Sequence, residues 1–283
     1  MIKLNIANDE LKDGVFRFLF NNQENAAELY YALTGEKCDP TEVEIQTLTT
    51  IISGKRQNDL AFLVRDRAMI VGEHQSTVSN NMPARFLIYV GQLYDKWISE
   101  KPDKQSIYGT SIYKLPAPEL VVFYNGTVNK PAKEILKLSS AFKKKVDPNI
   151  FGTIEVEVPV YNINKDIGSE LFAKSEKLKH YAELIAKIRE FQKIHNYDEA
   201  VKKAVSYCIT NNILAEFLKK NGGIIMSILS MEYSEEEALK IARIDGRKER
   251  DVEIARNLIA IGLSKEQISQ GTGLSIEEIE NLG

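Results

Sequence analysis

The stretch "NDLAFLVRDRAMIVGEHQS", Asn58 to Ser76, places two apolar runs on either side of the charged sequence "RDR". Apolar runs of this length around a short charged turn predict a β-hairpin. The first run, "LAFLV", shows no polar alternation, which is typical of a strand covered on both faces. The second run ends in "GEHQS", where three polar side chains follow one another at the end of an apolar strand. This hairpin therefore contains both the pattern that indicates the fold and the polar residues that are candidates for a functional site.

The register of the hairpin decides whether its carboxylates form a pair. A three-residue turn, 65–67, places Asp59 directly opposite Glu73, with Cβ atoms about 4.5–5.5 Å apart. Gln75 then faces the same side as Glu73, and His74 faces away. Two carboxylates this close need a shared proton, a basic neighbour or a divalent cation, and hard oxygen ligands favour Mg²⁺. Two alternatives stay open: a solvated strand end with an accidental acidic pair, and a four-residue loop that slips the register and separates the two carboxylates.

The bulk properties indicate a globular protein of the reducing cytoplasm. The chain has 283 residues, with 43% hydrophobic and 27% charged residues. It shows no signal-peptide pattern and no apolar run of the roughly 18 residues that a membrane span needs. Cys38 and Cys208 are far apart and lack metal-ligand spacing, so neither a disulfide framework nor a zinc ribbon is indicated. Because the net charge is −3, any contact with nucleic acid must come from a local patch.

Periodicity outside the hairpin predicts a mixed α/β core followed by helices. The N-terminal segment indicates two short helices, "ELVVFYNG" (119–126) a buried strand and "GTIEVEVPVYNI" (152–163) a half-exposed strand, in which Pro159 favours an edge position. Residues 83–98 form an amphipathic helix with an apolar face and a polar stripe. The apolar face consists of Phe86, Val90, Leu93 and Trp97, and the polar stripe of Arg85, Tyr89, Gln92 and Lys96.

The C-terminal tail contains an imperfect repeat, "GLSKEQI" at 262–268 and "GLSIEEI" at 273–279. In each copy a glycine ends one helix, and a serine opens the next with capping-box spacing to Gln267 or Glu278. The tail thus predicts a long helix over about 235–261 and two short ones. A helix-turn-helix DNA reader is the alternative, but the glutamates of the last helix would repel phosphate. A packing or dimerisation module is favoured.

Four segments resemble the PD-(D/E)XK nuclease superfamily and, within it, the recombination-promoting nuclease and transposase-like family. They are "NDLAFLV", "EHQST", "MPARFLIY" and "ELVVFYNG", in the family's order and spacing. "DGVFRFLF" is similar to the family's opening helix, and the tail "IARNLIAIGLSKEQISQGTGLSIEEIENL" is similar to its C-terminus; 127–235 carries only diffuse likeness. The resemblance implies a restriction-endonuclease-like mixed sheet flanked by helices, with a helical annex and a helical C-terminal tail.

The resemblance also implies roles for individual residues. It puts Asp59, Glu73 and the backbone carbonyl of His74 in the role of Mg²⁺ ligands, with Mn²⁺ able to substitute. Gln75 completes the catalytic set where most of the superfamily has lysine. It offers hydrogen bonds rather than a positive charge, although E-x-Q is usual in this particular family.

Further positions have auxiliary roles by the same resemblance. Asp13 resembles an acidic position that touches the metal or its water. Arg85 and Tyr89 would face the site and bind the scissile phosphate, while a solvated Arg85 with its stem on the core is an equal alternative. A concentrated basic patch either contacts the DNA backbone or is a solvated charge run; it comprises Lys143, Lys144 and Lys145.

The implied activity is Mg²⁺-dependent hydrolysis of DNA phosphodiester bonds by an endonuclease acting in recombination, on mobile DNA or in defence. The implied layout is a nuclease-like core over 1–165, a helical annex over 166–234 packed on it, and a tail over 235–283 that forms a homodimer or contacts DNA. One alternative is a catalytically weak DNA-binding or interaction protein that keeps the fold. A second is a regulator whose tail is the working part.

Overall fold

The computed structural model describes residues 14–46, 60–65, 67–75, 79–144, 147 and 152–282. Within these ranges the chain forms a mixed α/β structure. The strands are β1 Val43–Gln46, β2 Leu60–Val64, β3 Arg67–Gln75, β4 Ala117–Tyr124, β5 Lys133–Lys137 and β6 Glu157–Asn162. The helices are α1 Val15–Phe20, α2 Gln23–Thr34, α3 Met82–Ser99, α4 Ser169–Phe172, α5 Glu176–Phe191, α6 Tyr197–Thr210, α7 Ala215–Ala260, α8 Lys265–Thr272 and α9 Ile276–Glu280.

The strands form one sheet in the order β1-β2-β3-β4-β6-β5. Strands β3, β4 and β6 are parallel to one another, whereas β1–β2, β2–β3 and β5–β6 are antiparallel pairs. Helix α3 makes the crossover between the parallel strands β3 and β4, as such connections require. The carboxyl ends of three parallel strands consequently meet at one edge, the place where open α/β sheets bind ligands.

Helices cover both faces of this sheet. Phe62 of β2 and Phe123 of β4 belong to a core cluster that includes buried residues of α1, α2, α5, α6 and the start of α7. On the other face Ala61 and Val122 pack with buried residues of α3. Adjacent residues of β2 and β4 thus bury opposite faces, which explains why "LAFLV" is apolar without alternation, as its sequence predicts.

Strand β6 differs from its predicted position at an edge. It lies between β4 and β5, and β5 is the edge strand instead. Pro159 has no N–H to donate, but it pairs with Ile135 of β5 while the pairing with β4 begins only at Val160. The proline is therefore tolerated because the ladder on its β4 side starts after it.

Two compact units divide the chain, one up to Ser230 and one from Met231. Helix α7 has residues in both and begins earlier than the tail sequence predicts, at Ala215. No helix in the described ranges is long and apolar enough to cross a membrane.

The second unit contains the two predicted short helices. Ser264 opens α8 and Ser275 opens α9, each with both hydrogen bonds of a capping box. Gly273 ends α8 with a left-handed φ of 77°. Three apolar side chains of the repeat form a small core with Ala255 of α7; they are Ile268, Leu274 and Ile279.

Candidate functional site

The β2–β3 hairpin is present, but its predicted three-residue turn is wrong. Val64 pairs with Arg67, so only two residues connect the strands. Arg65 adopts a left-handed φ of 55°, the conformation that closes a two-residue hairpin turn. It is held there by Glu42, whose two carboxylate oxygens each accept a hydrogen bond of 2.9 Å from the guanidinium. The real register is therefore shifted by one residue from the predicted one.

This shift removes the counting argument that placed Asp59 opposite Glu73. The described pairs run only from the turn to Leu60 and Val71. Asp59 and Asp13 lie outside the described residues, so their assignment as site residues stays a prediction from the resemblance.

A β-bulge interrupts β3 at the motif itself. The parallel pairing with β4 is regular up to Gly72 and Val122, and it resumes with Gln75 beside Tyr124. Glu73 and His74 consequently have no register partner in β4 among the described residues. Bulges of this kind are over-represented next to active sites, where they re-aim a side chain or end regular pairing. The motif lies at the carboxyl end of β3, on the edge shared by the three parallel strands.

Helix α3 brings Arg85 and Tyr89 together. The Tyr89 hydroxyl accepts hydrogen bonds from Arg85 Nε and Nη2, at 3.1 and 3.0 Å, and Arg85 Nη1 lies 3.3 Å from Met82 Sδ. Tyr89 is only 1% exposed, so its predicted place on a polar stripe is wrong. A buried tyrosine is stable here because the half-buried guanidinium satisfies its hydroxyl.

The same helix lies against the strand that neighbours the motif. Tyr124, the register partner of Gln75, belongs to one buried cluster with Met82, Phe86 and Tyr89 of α3. The structure thus places the Arg85–Tyr89 pair over the sheet face that carries the Tyr124 side chain, one turn into the helix that follows the motif.

The oxygen-donor chemistry of the motif fits Mg²⁺ in part. A glutamate carboxylate such as that of Glu73 and a backbone carbonyl are hard oxygen donors of the kind that Mg²⁺ takes, and the bulge removes the backbone around His74 from the regular register with β4. The described residues contain no cluster of three His, Cys, Asp or Glu residues that could hold a metal ion. The other carboxylate that the resemblance assigns to this site, Asp59, lies outside the described residues.

The sequence did not predict a polar network at the carboxyl ends of β4 and β6. Arg189 of α5 donates from Nη1 to Asn125 Oδ1 and to Asn164 Oδ1, at 2.9 Å each, and from Nη2 to the carbonyl of Asn125. Asn164 in turn donates from Nδ2 to Asn162 Oδ1 at 2.9 Å and to the carbonyl of Gly126 at 3.0 Å. One helix and two strand ends are tied together by these bonds.

Asn125 has one feature that the network leaves unexplained. Its side chain is 1% exposed, and no described residue accepts a hydrogen bond from its Nδ2. The amide orientation is fixed, because a guanidinium can only donate and so requires the oxygen on its side. The "NG" turn sequence (125–126) was a visible signal, but nothing in the spacing links it to a helix 64 positions away.

The remaining predicted residues lie elsewhere. Lys143 and Lys144 are exposed, in the segment after the short 3₁₀ turn that follows β5, and Lys145 is outside the described residues. No protein-family model, curated protein or solved structure gives a significant match to this chain.

Proposed function

We propose that this chain is a Mg²⁺-dependent DNA endonuclease of the PD-(D/E)XK type, with a restriction-endonuclease-like core and a cytoplasmic role in recombination, mobile DNA or defence. The observation that carries the proposal is the bulge that takes Glu73 out of register at the carboxyl end of β3, where Gln75 pairs with Tyr124, which shares a buried cluster with Tyr89 of the Arg85–Tyr89 pair. An acidic residue on irregular backbone, at the ligand-binding edge of an α/β sheet, is suited to metal-assisted chemistry.

Asp59, Glu73 and the His74 carbonyl are the residues that would hold the ion. When bound, Mg²⁺ supplies Lewis acidity toward the phosphate and a lower pKa for a bound water. Gln75 offers hydrogen-bond donors to a phosphate oxygen at neutral charge. Arg85 contributes a fixed positive charge, and its two bonds to the Tyr89 hydroxyl hold the guanidinium in place before DNA arrives.

A second candidate is a DNA-binding protein that keeps the fold with little catalysis. Gln75 favours it, because the lysine that most of the superfamily has at this position would give a positive charge to the attacked phosphate. Both candidates need DNA at the carboxyl edge, and only the first needs the ion for the reaction.

The tail is proposed as a dimerisation module rather than a base reader. Ile261 and Ile276 are apolar residues that stay exposed outside the small core of the second unit. Sedimentation velocity tests this: wild type should sediment as a dimer and Ile261→Asp as a monomer. A monomeric wild type contradicts the assignment.

The test of function uses the purified chain, closed circular plasmid and a linear duplex. With Mg²⁺ or Mn²⁺ we expect nicked and linear plasmid products, and with excess EDTA we expect none. Binding of both DNAs without cleavage under either metal would support the second candidate. Absence of both binding and cleavage contradicts the two candidates together.

A further inference from the structure

The connection between α3 and β4, residues 100–116, is long for a compact domain. Loops beyond roughly 12–15 residues are uncommon unless they have a function. This one contains a short 3₁₀ helix, Lys104–Tyr108, and every residue from 102 to 112 is exposed. We call its central part, 104–112, the tip.

The base of this loop is anchored to α3. Tyr94 donates a hydrogen bond of 2.7 Å to the carbonyl of Pro116, directly before β4 begins. Trp97 and Tyr113 pack edge to face, with ring centroids 6.1 Å apart, and Lys101 Nζ lies 4.6 Å from the centre of the Trp97 ring. The Tyr113 hydroxyl reaches Asp103 Oδ1 at 3.4 Å. These contacts hold the two ends of the loop against α3, and the tip extends beyond them.

The tip exposes large apolar side chains that the protein does not cover. Tyr108 is 89% and Ile112 84% exposed. A cleft of about 380 Å³ lies between the tip and α3, lined by charged residues, Lys101, Asp103 and Lys114, and by apolar and hydroxyl side chains, among them Trp97 and Ile112. Ile112 lines the cleft, and Tyr108 lies four residues before it in the same exposed tip.

The charge of the loop indicates what could cover these side chains. The loop 100–116 contains three lysines and two acidic residues, Glu100 and Asp103, so it carries a net charge of +1 within a chain of net charge −3. The Asp103 carboxylate accepts a hydrogen bond from Tyr113 and keeps its charge, and Lys104 and Lys114 are the exposed cations of the loop. The exposed apolar side chains of the loop are Ile107, Tyr108, Ile112 and Leu115, and four side chains are few for the roughly 800 Å² that each partner of a stable protein interface buries. Lysines beside stacking side chains are the pattern of single-strand nucleic-acid sites.

We propose that the tip and its cleft bind single-stranded DNA, with an unpaired base stacked on Tyr108 beside Ile112 and its phosphates on Lys104 and Lys114. The choice of DNA rests on the proposed nuclease function. Helix α3 has 18 residues, about 27 Å of length, and it runs from the motif edge of the sheet to this loop. The substrate class is then DNA with an unpaired segment rather than uniform duplex.

Fluorescence anisotropy with a labelled single strand of about 30 nucleotides tests the proposal, in EDTA so that nothing is cut. Tyr108→Ala should raise Kd about fivefold or more, and Tyr108→Phe should bind like wild type because the ring remains. Ile194→Ala is the matched control, since Ile194 is an exposed aliphatic residue elsewhere on the core. The double variant Lys104→Ala, Lys114→Ala should reduce the slope of log Kd against log salt by about 1.4, for two phosphates on a single strand.

Three other results of the binding measurements would contradict the proposed site. If wild type binds the strand and Tyr108→Ala binds it equally well, this site is wrong while the proposed function stands. If wild type binds no DNA of either kind, the proposed function fails and the site fails with it. If Tyr108→Ala instead weakens self-association or binding to anionic vesicles, with an unchanged DNA Kd, the tip serves a second copy or a membrane surface and the proposal is overturned.

Discussion

Removing the Arg189 side chain should destabilise the core unit severely, because three acceptors lose their donor at once. The change is Arg189→Met, which keeps the length of the stem and deletes the guanidinium. Each hydrogen bond to a charged donor contributes about 1.5–3 kcal/mol. The three bonds to Asn125 and Asn164 share one donor and are not additive, and deleting the guanidinium leaves neutral amide acceptors unsatisfied, which costs about 1–3 kcal/mol. We expect a loss of about 2–3 kcal/mol from the free energy of unfolding.

Urea unfolding followed by the fluorescence of Trp97, the chain's single tryptophan, measures this loss. Trp97 lies near the C-terminal end of α3, beside the start of β4 and away from the network at its carboxyl end, so its signal reports unfolding of the unit rather than a local change. Arg189→Lys should recover less than half of the loss, since an ammonium cannot reproduce the planar fork. Lys193→Met is the control, an exposed cation just beyond the same helix. If Arg189→Met costs under about 1 kcal/mol, or no more than Lys193→Met, the network does not stabilise the sheet edge.

Four smaller changes test other parts of the structure. Burial alone would raise the pKa of Glu28, but hydrogen bonds from Lys177 and its neighbours hold that pKa below its ordinary value of 4.5. The wild type should therefore be more stable than Glu28→Gln at neutral pH, and this difference should disappear as the pH falls through the folded pKa. Urea titrations down to about pH 2 measure the difference. Gly273→Ala, at a φ of 77°, should destabilise the tail by about 1 kcal/mol, seen as faster amide exchange in α8 and α9 with an unchanged core midpoint. Burial raises the pKa of the Cys208 thiol to about 12, so an alkylating reagent should modify it only in denaturant, and fast labelling of the native protein would be contrary evidence. Gln75→Lys should keep Mn²⁺ binding by calorimetry, and a lost affinity would refute the hydrogen-bonding role of that side chain.

The sequence alone predicts those helices and strands whose pattern lies within a few neighbouring residues. The two strands around "RDR", the crossover helix and the two capped tail helices each follow from apolar periodicity or from a capping residue within a few positions. The register of the hairpin was not predictable in this way. It depends on the left-handed backbone of Arg65, which a distant carboxylate on Glu42 stabilises.

Long-range pairing also explains what was missed at the site. The hydroxyl of Tyr89 predicts a place on the polar stripe of α3, yet Arg85 satisfies that hydroxyl and the ring is buried. The bulge between Gly72 and Gln75 depends on where β4 pairs, and the sequence of β3 alone does not encode that position. Asn125 and Arg189 meet only because β4 and α5 pack together.

The most direct test of the proposed active site is the single-turnover rate of plasmid cleavage in Mg²⁺ for wild type, Glu73→Gln and Asp95→Asn. Glu73→Gln removes the charge of a proposed metal ligand, whereas Asp95 is an exposed carboxylate on α3 and serves as the matched control. Losing a group that only orients a metal ligand costs about 10–100-fold, and losing a ligand itself should cost more. We expect Asp95→Asn to cut at the wild-type rate and Glu73→Gln to cut more than about a hundredfold more slowly. Equal rates for all three proteins would contradict the placement of the active site at the end of β3.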